Sequence, residues 1–496
     1  MTAYAERRAV ARTRWLDRAA DVVAGNGLLF VFVGVLGAAL LMLAQQLTVA
    51  DSWMTLVAGR DVVEHGLPHH ETLTVMAAGR TWTDQQWLAQ VLFYEGSVVG
   101  GLRLALVLDA VLITLTYAVA IAAARSRGAS ARSTLVVAAA SILVAPWSWQ
   151  LRAQTLALPL FAIVLWLASS EVRTPRRRTF LALPLLVLWA NVHGSVLVGA
   201  LLVSLVGVIG LGRRVLGASD APPAGRSLAL AVLPWGCLLV SPYSYHLVGY
   251  YRLMLFTSTV SKVIVEWKAP TPHGIFLAFF VLAACTTALV IVKRRLLALY
   301  DIAALALTLA MSLHSIRGIV WFDLACLVLL PVALDGVFRG AGARIRRPLA
   351  FTLAGTAAGL CLLALAVTAV RPASWFEKQW PAAAAQEAAT AAAHVDGPQA
   401  VFPSDRYADW LLWKEPPLEG RVAYDVRFEI LAAPQIAALV RFKTKVTGST
   451  VASGYPVLVL DPTDGAARIR TLLEVPGTRV LYRDRRVVVV SRSRTA

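Results

Sequence analysis

Apolar runs recur between Gly27 and Val370, each closed by a cluster of Arg or Lys or by a short polar turn. A helix needs roughly 20 such residues to cross the hydrocarbon of a bilayer. The pattern predicts about eleven membrane-spanning helices, near residues 27–49, 99–124, 133–147, 154–170, 179–192, 195–212, 227–243, 274–292, 296–312, 318–337 and 349–370. The block from Thr179 to Gly212 would be roughly 50 Å long as one straight helix. It is therefore expected to bend back at Asn191-Val192-His193-Gly194, leaving two short helices and a turn sunk in a water-accessible dent.

Composition agrees with this pattern. The chain is 58% hydrophobic with a mean hydropathy of +0.66, too apolar for a fold that must keep itself in water. The formal charge is +18, yet the cations punctuate the ends of apolar segments and are not gathered on one face, so the excess reads as membrane orientation and not as nucleic-acid binding. With the amino terminus in the cytoplasm, the inner segments hold Arg7 to Arg18, Arg125/Arg127/Arg132, Arg173/Arg176/Arg177/Arg178, Arg213/Arg214/Arg226, Lys293/Arg294/Arg295 and Arg339/Arg344/Arg346/Arg347. These 22 cations face 8 in the outer segments up to residue 317, and the positive-inside bias selects this orientation in the plasma membrane. The topology uses no histidine, and it places all eight histidines on the outer side. All four cysteines lie in apolar segments, so neither a disulfide framework nor a cysteine metal site is expected.

From Arg371 onward the chain carries 17 Lys or Arg and 13 Asp or Glu with no long apolar run. Residues 371–496 are expected to form a small extracytoplasmic α/β domain, and residues 1–370 the membrane domain. Helices are expected near 381–395, 404–413, 434–445 and 464–474, with strands near 400–402, 421–424, 457–460, 479–482 and 486–490. No phosphate-cradling glycine loop or nucleophile elbow occurs in this tail, which points to acceptor contact or support.

The first outer loop, residues 50–98, is acidic in a basic protein, with Asp51, Asp61, Glu64, Glu71, Asp84 and Glu95 against Arg60 and Arg80. Ser52 to Glu64 has helical spacing and an apolar face of Trp53, Leu56, Val57 and Val62 or Val63, which predicts a helix lying along the membrane surface. Trp82 and Trp87 are expected at headgroup level.

An Asp directly after the first membrane helix, a surface helix ending in Gly66-Leu67-Pro68, and a polar-aromatic stretch resemble the GT-C superfamily of multispanning glycosyltransferases, among them protein O-mannosyltransferase-like and aminoarabinose-transferase-like enzymes. Leu188-Trp189-Ala190-Asn191-Val192-His193-Gly194-Ser195 looks like a recurrent feature of the same proteins. The resemblance covers roughly residues 27–370 and implies transfer of a sugar from a polyprenyl-phosphate donor to an extracytoplasmic glycan, lipid or protein acceptor, with Asp51 as general base. Mannosyltransferase-like members follow that Asp with a second acid, where this chain has Ser52.

The chemistry asks for such residues. A base must take the acceptor proton, and Asp51 serves this or merely ends the first helix at the interface. The leaving lipid phosphate needs cations, and Arg152 and Arg317 are the only cations in their short outer loops. Trp87, Asn191, His193 and His314 are candidates to line the cavity or bind substrate, with His69, His70 and Glu71. His69-His70-Glu71 with Asp51 or Asp61 is a candidate divalent-metal site suited to Zn or Mn, although the spacing is irregular. Asp109 and Asp323 are acids within spans, which are costly unless they face a cavity or a partner. They keep a transporter or lipid flippase open as another function, and a noncatalytic cell-envelope assembly protein that presents the outer domain is a third.

Overall fold

The computed structural model describes residues 2–173, 177–256, 264–338, 346–444 and 450–492. The expected inner cations Arg176, Arg339 and Arg344 lie outside the described residues. Helices α1 (Thr2–Met42), α2 (Ala50–His65), α3 (Trp87–Ser126), α4 (Ala131–Ser141) and α5 (Ala153–Glu171) open the chain. They are followed by α6 (Ala182–Ala190), α7 (Val196–Val215), α8 (Ala224–Cys237) and α9 (His246–Phe256). Helical structure occupies every predicted span. Among the described residues six helices are long and apolar enough to cross a membrane, Ala20–Met42, Trp87–Ser126, Ala153–Glu171, Val196–Val215, Gly274–Leu296 and Arg347–Val370. The remaining predicted spans fall on shorter helices, α4, α6, α8, Leu299–His314 and Ile319–Leu329.

Two glycines shape this bundle. Helix α3 breaks at Gly101, whose φ of 68° suits a residue without Cβ. The stretch before the break packs against α2, and the stretch after it supplies the predicted span. Helix α1 runs along Arg347–Val370, and a Cβ at Gly34 would sit 2.7 Å from the Ala357 Cβ. That approach is the small-residue contact by which membrane helices gain dispersion energy without a hydrophobic driving force.

Helix α2 overturns the surface-helix expectation. Ser52 through Asp61 are all buried, the polar flank included. The Arg60 guanidinium donates from Nη2 to the Leu412 carbonyl at 2.7 Å and to Glu419 Oε1 at 2.6 Å, both in or beside helix Asp405–Lys414 of the tail. Trp53 packs edge-on against Trp380, ring centroids 5.2 Å apart. The amphipathic pattern was real, but its polar face meets protein instead of headgroups. Trp82 is likewise buried, with the Arg427 guanidinium 4.1 Å above its ring.

The tail carries strands β1 (Val401–Pro403), β2 (Val457–Leu460), β3 (Thr478–Arg483) and β4 (Val488–Arg492) in the order β1-β2-β4-β3. β1 and β2 are parallel and the other pairs antiparallel. Residues 421–424, expected as a strand, instead form isolated bridges in which Val422 pairs with Val401 and with Thr74 of the first loop. The Val75 and Met76 amides donate to the Val422 and Ala423 carbonyls, both at 2.9 Å. Ser404 precedes helix Asp405–Lys414, and its hydroxyl accepts from the Asp461 amide at 2.9 Å. One buried apolar cluster runs from Leu36 of α1 through Trp53 of α2 to Trp410 and Val459 of the tail, so residue 371 marks a change of composition and not a break in packing.

Candidate active site

A cavity of about 330 Å3 opens where the first loop, the loop before α5, the α6–α7 turn, residues 250–254, residues 264–267, residues 311–318 and the tail meet. Asp51, Arg152, His193, His314 and Arg317 all line it. These residues come from distant points in the sequence, and the backbone brings the first two together by a two-sided clasp. The Leu151 amide donates to the Leu47 carbonyl at 2.9 Å, and the Ser52 hydroxyl donates to the Leu151 carbonyl at 2.7 Å. Ser52, which stands where mannosyltransferase-like proteins have an acid, thus fastens the base candidate to the loop that bears Arg152.

The charged groups form a chain. Arg152 Nη1 lies 3.4 Å from Asp51 Oδ2 and 2.5 Å from Glu266 Oε1. Glu266 Oε2 then accepts from Arg317 Nε at 3.0 Å, while the Arg317 guanidinium stacks 5.0 Å from the Trp267 ring. Arg152 Nη2 donates to Gln150 Oε1 at 2.6 Å. Burial alone would raise the Glu266 carboxyl, but Arg152 and Arg317 outweigh it and hold the group down to about 2. Glu266 escaped the sequence reading, yet a signal existed: it is the sole acid between Ser244 and His273.

His193 accepts or donates at 2.8 Å with the Ser195 hydroxyl, which also accepts from Trp189 Nε1 at 3.0 Å. Burial, with the positive fields of Arg317 and Arg152, pushes His193 down to about 3, so it is a neutral hydrogen-bonder at working pH. Asn191 and Trp87 do not line the cavity. Trp87 Nε1 donates to Asn191 Oδ1 at 3.1 Å, and Asn191 donates to the Val187 and Val240 carbonyls, each at 2.9 Å. They pin the first loop to the α6–α7 turn.

His69, His70 and Glu71 also lie away from the cavity lining. His69 and His70 are exposed, His69 edge-on to Tyr243 at 5.8 Å and His70 bridged to Thr81. Glu71 is buried, accepting from the Thr74 amide at 2.7 Å and paired with Arg427 Nη2 at 2.7 Å. Among the described residues no three His, Cys, Asp or Glu side chains gather as a metal site. Of the acids within spans, Asp323 accepts from the Ser141 hydroxyl at 2.6 Å, and neither Asp109 nor Asp323 lines the cavity.

The tail completes the wall with Val426, Arg427 and Glu429, and the first loop adds Gln85 and Gln86. Asp84, beside them, is 2% exposed, and burial pushes its carboxyl up to about 7 against the opposing pull of Arg427. Five lining side chains hold a buried polar atom without a partner among the described residues: Gln85 Oε1, Arg152 Nε, Tyr251 OH, Trp267 Nε1 and Arg427 Nη1. Orphaned buried groups cost free energy unless water or a ligand satisfies them, so the cavity is built for a polar occupant.

No family of known sequences matches this chain, and none of the curated proteins does. Solved structures do. ArnT from Cupriavidus metallidurans bound to undecaprenyl phosphate aligns over 94% of this chain and 98% of its own, with 16% identity and a TM-score of 0.51. The same protein in the apo state gives 97%, 98%, 15% and 0.52. The fold is GT-C. The archaeal oligosaccharyltransferase AglB from Archaeoglobus fulgidus, in complex with an inhibitory peptide and a dolichol-phosphate, aligns over 94% of this chain and 74% of its own, with 11% identity and a TM-score of 0.52. The alignments extend past residue 370, so the GT-C likeness takes in tail residues as well as the membrane helices.

Proposed function

We propose that this protein is a membrane glycosyltransferase that moves a sugar from a polyprenyl-phosphate donor to an extracytoplasmic acceptor. The observation that carries the reading is the convergence of Asp51, Arg152 and Arg317 on one polar cavity. The GT-C fold supports it, since both ArnT and AglB have been solved with polyprenyl phosphates bound. The orientation expected from the cation pattern, with the amino terminus inside and the tail outside, would set this cavity on the extracytoplasmic side of the plasma membrane.

In this reaction the acceptor hydroxyl gives its proton to the Asp51 carboxylate while its oxygen forms a bond to the anomeric carbon. The bond from that carbon to the phosphate oxygen breaks, and its electron pair leaves with the lipid phosphate. Arg152 and Arg317 face the charge that develops there, in a site where partial desolvation strengthens them. His193, Gln85 and Tyr251 supply neutral hydrogen bonds for sugar hydroxyls.

Asp51→Asn removes the proton acceptor and keeps the side chain's shape. The purified variant should insert and unfold like the native protein but show no transfer from a polyprenyl-phosphate sugar in a radiolabelled assay. Full transfer by that variant would remove the base from the mechanism.

A further inference from the structure

Glu266 stands where an anion is wanted. Its two carboxylate oxygens each serve a different guanidinium, Oε1 to Arg152 Nη1 at 2.5 Å and Oε2 to Arg317 Nε at 3.0 Å. Two nonbridging phosphate oxygens would satisfy the same pair in the same way, because planar guanidinium forks match carboxylate and phosphate alike. Charge counting sharpens the point. Asp51, Arg152, Glu266 and Arg317 together are neutral, so a phosphate arriving with all four in place finds no net attraction. Without Glu266 the remaining three carry one positive charge, which a phosphodiester neutralises.

We propose that Glu266 is an internal stand-in for the donor phosphate, which holds Arg152 and Arg317 in position and is displaced when the donor's phosphate binds between them. This rests on the assignment of those arginines to the donor phosphate.

The local build suits an exchange. The Glu266 and Lys268 carbonyls accept from the Ser315 hydroxyl at 2.9 Å and the Ile316 amide at 3.0 Å. The main chain is therefore fastened to the turn that bears Arg317, independently of the carboxylate. The side chain is 24% exposed, so it has water to move into. An ion pair that is not fully buried exchanges partners at modest cost, whereas a sealed pair leaves an uncompensated charge when broken. The same competition favours an occupant that brings both a phosphate and an apolar chain or sugar, because phosphate alone only replaces one anion by another.

The test uses the full chain in lipid nanodiscs and titrates farnesyl phosphate, inorganic phosphate and farnesol onto the native protein, Glu266→Gln, Glu266→Asp and Arg317→Gln. Removing the competing charge in Glu266→Gln should tighten farnesyl phosphate binding about tenfold or more. Glu266→Asp, a shorter carboxylate that reaches one guanidinium, should give an intermediate gain and serves if the Gln variant fails to fold. Arg317→Gln should weaken binding, inorganic phosphate should follow the same ranking, and farnesol should be indifferent to all three. Weaker or unchanged binding by both Glu266 variants, with Arg317→Gln still deleterious, overturns the stand-in while leaving the arginines as the phosphate site. Equal gains for farnesol overturn it too, since the effect would then belong to the lipid chain. Indifference of phosphate binding to Arg317→Gln overturns the assignment beneath it.

Discussion

Two arginine-carboxylate clusters border the same cavity and are built differently. On one side Asp51, Arg152, Glu266 and Arg317 form an open chain whose outer members, Asp51 and Arg317, are 38% and 33% exposed. On the other, Arg427 is only 6% exposed and is held from several sides. It donates from its amide to Asp425 Oδ1 at 2.8 Å and from Nε to Asp425 Oδ2 at 2.9 Å, pairs with Glu71 at 2.7 Å, and covers the Trp82 ring. Asp425 and Glu71 hold the Arg427 guanidinium well above its ordinary range, although burial pulls the other way. The difference teaches where chemistry belongs: charges with water nearby can change partners, and charges without it must keep theirs.

Removing the Arg427 guanidinium should cause the largest effect. Arg427→Gln leaves Asp425 and Glu71 buried without their cation, at a cost of about 3–5 kcal/mol. Thermal unfolding in detergent should show it as a large drop in Tm or a failure to accumulate in the membrane. A Tm within a degree of the native protein would mean that water reaches this cluster, and the contrast would vanish.

Arg317→Gln is the matching change on the open side. Stability should move by less than about 1 kcal/mol, because the pair is partly solvated. Transfer should instead fall by roughly 10²–10³, the usual loss for one group that stabilises developing charge. A variant that unfolds early yet retains its specific activity would reverse the roles of the two clusters.

Asp84 gives the comparison a pH axis. Its folded carboxyl titrates at about 7, against 3.8 ordinarily. A group that holds its proton more tightly when folded contributes stability that is fully present below about pH 4 and is lost as pH rises through about 7, by roughly 1 kcal/mol per pH unit. Asp84→Asn should therefore gain stability over the native protein as pH is raised from 5 to 8. A parallel pair of Tm-against-pH curves would show that Asp84 is already ionised when folded.

His69→Ala and His70→Ala should change least, within about 0.5 kcal/mol each, as expected for exposed side chains on a loop. Loss of transfer in either, restored by added Zn or Mn, would bring back the metal site that the spacing of the sequence left open.

Much of this arrangement was legible in the sequence. Lone charges at the ends of apolar runs stand out, which is why Asp51, Arg152 and Arg317 could be named before their neighbours were known. The α6–α7 turn was legible because the largely apolar block of 34 residues from Thr179 to Gly212 exceeds one crossing of about 30 Å. Glu266 was only half legible: it stands out as the sole acid between Ser244 and His273, but only the fold reveals the two guanidiniums it bridges. Arg427 was hidden among the 17 cations of the tail. The burial of α2 was illegible for another reason. Periodicity reports which face is apolar but not what arrives to cover the polar one, and helix Asp405–Lys414 comes from more than 300 residues away.

The main-chain pairing of Val75 and Met76 with Val422 and Ala423 has a practical side for anyone building hybrids of such proteins. Because the two stretches complete each other's backbone, exchanging the carboxy-terminal portion alone would strand its counterpart near the amino terminus. A workable chimera must swap both pieces as a matched set, which means that specificity carried by this wall is inherited from two widely separated stretches of the coding sequence at once.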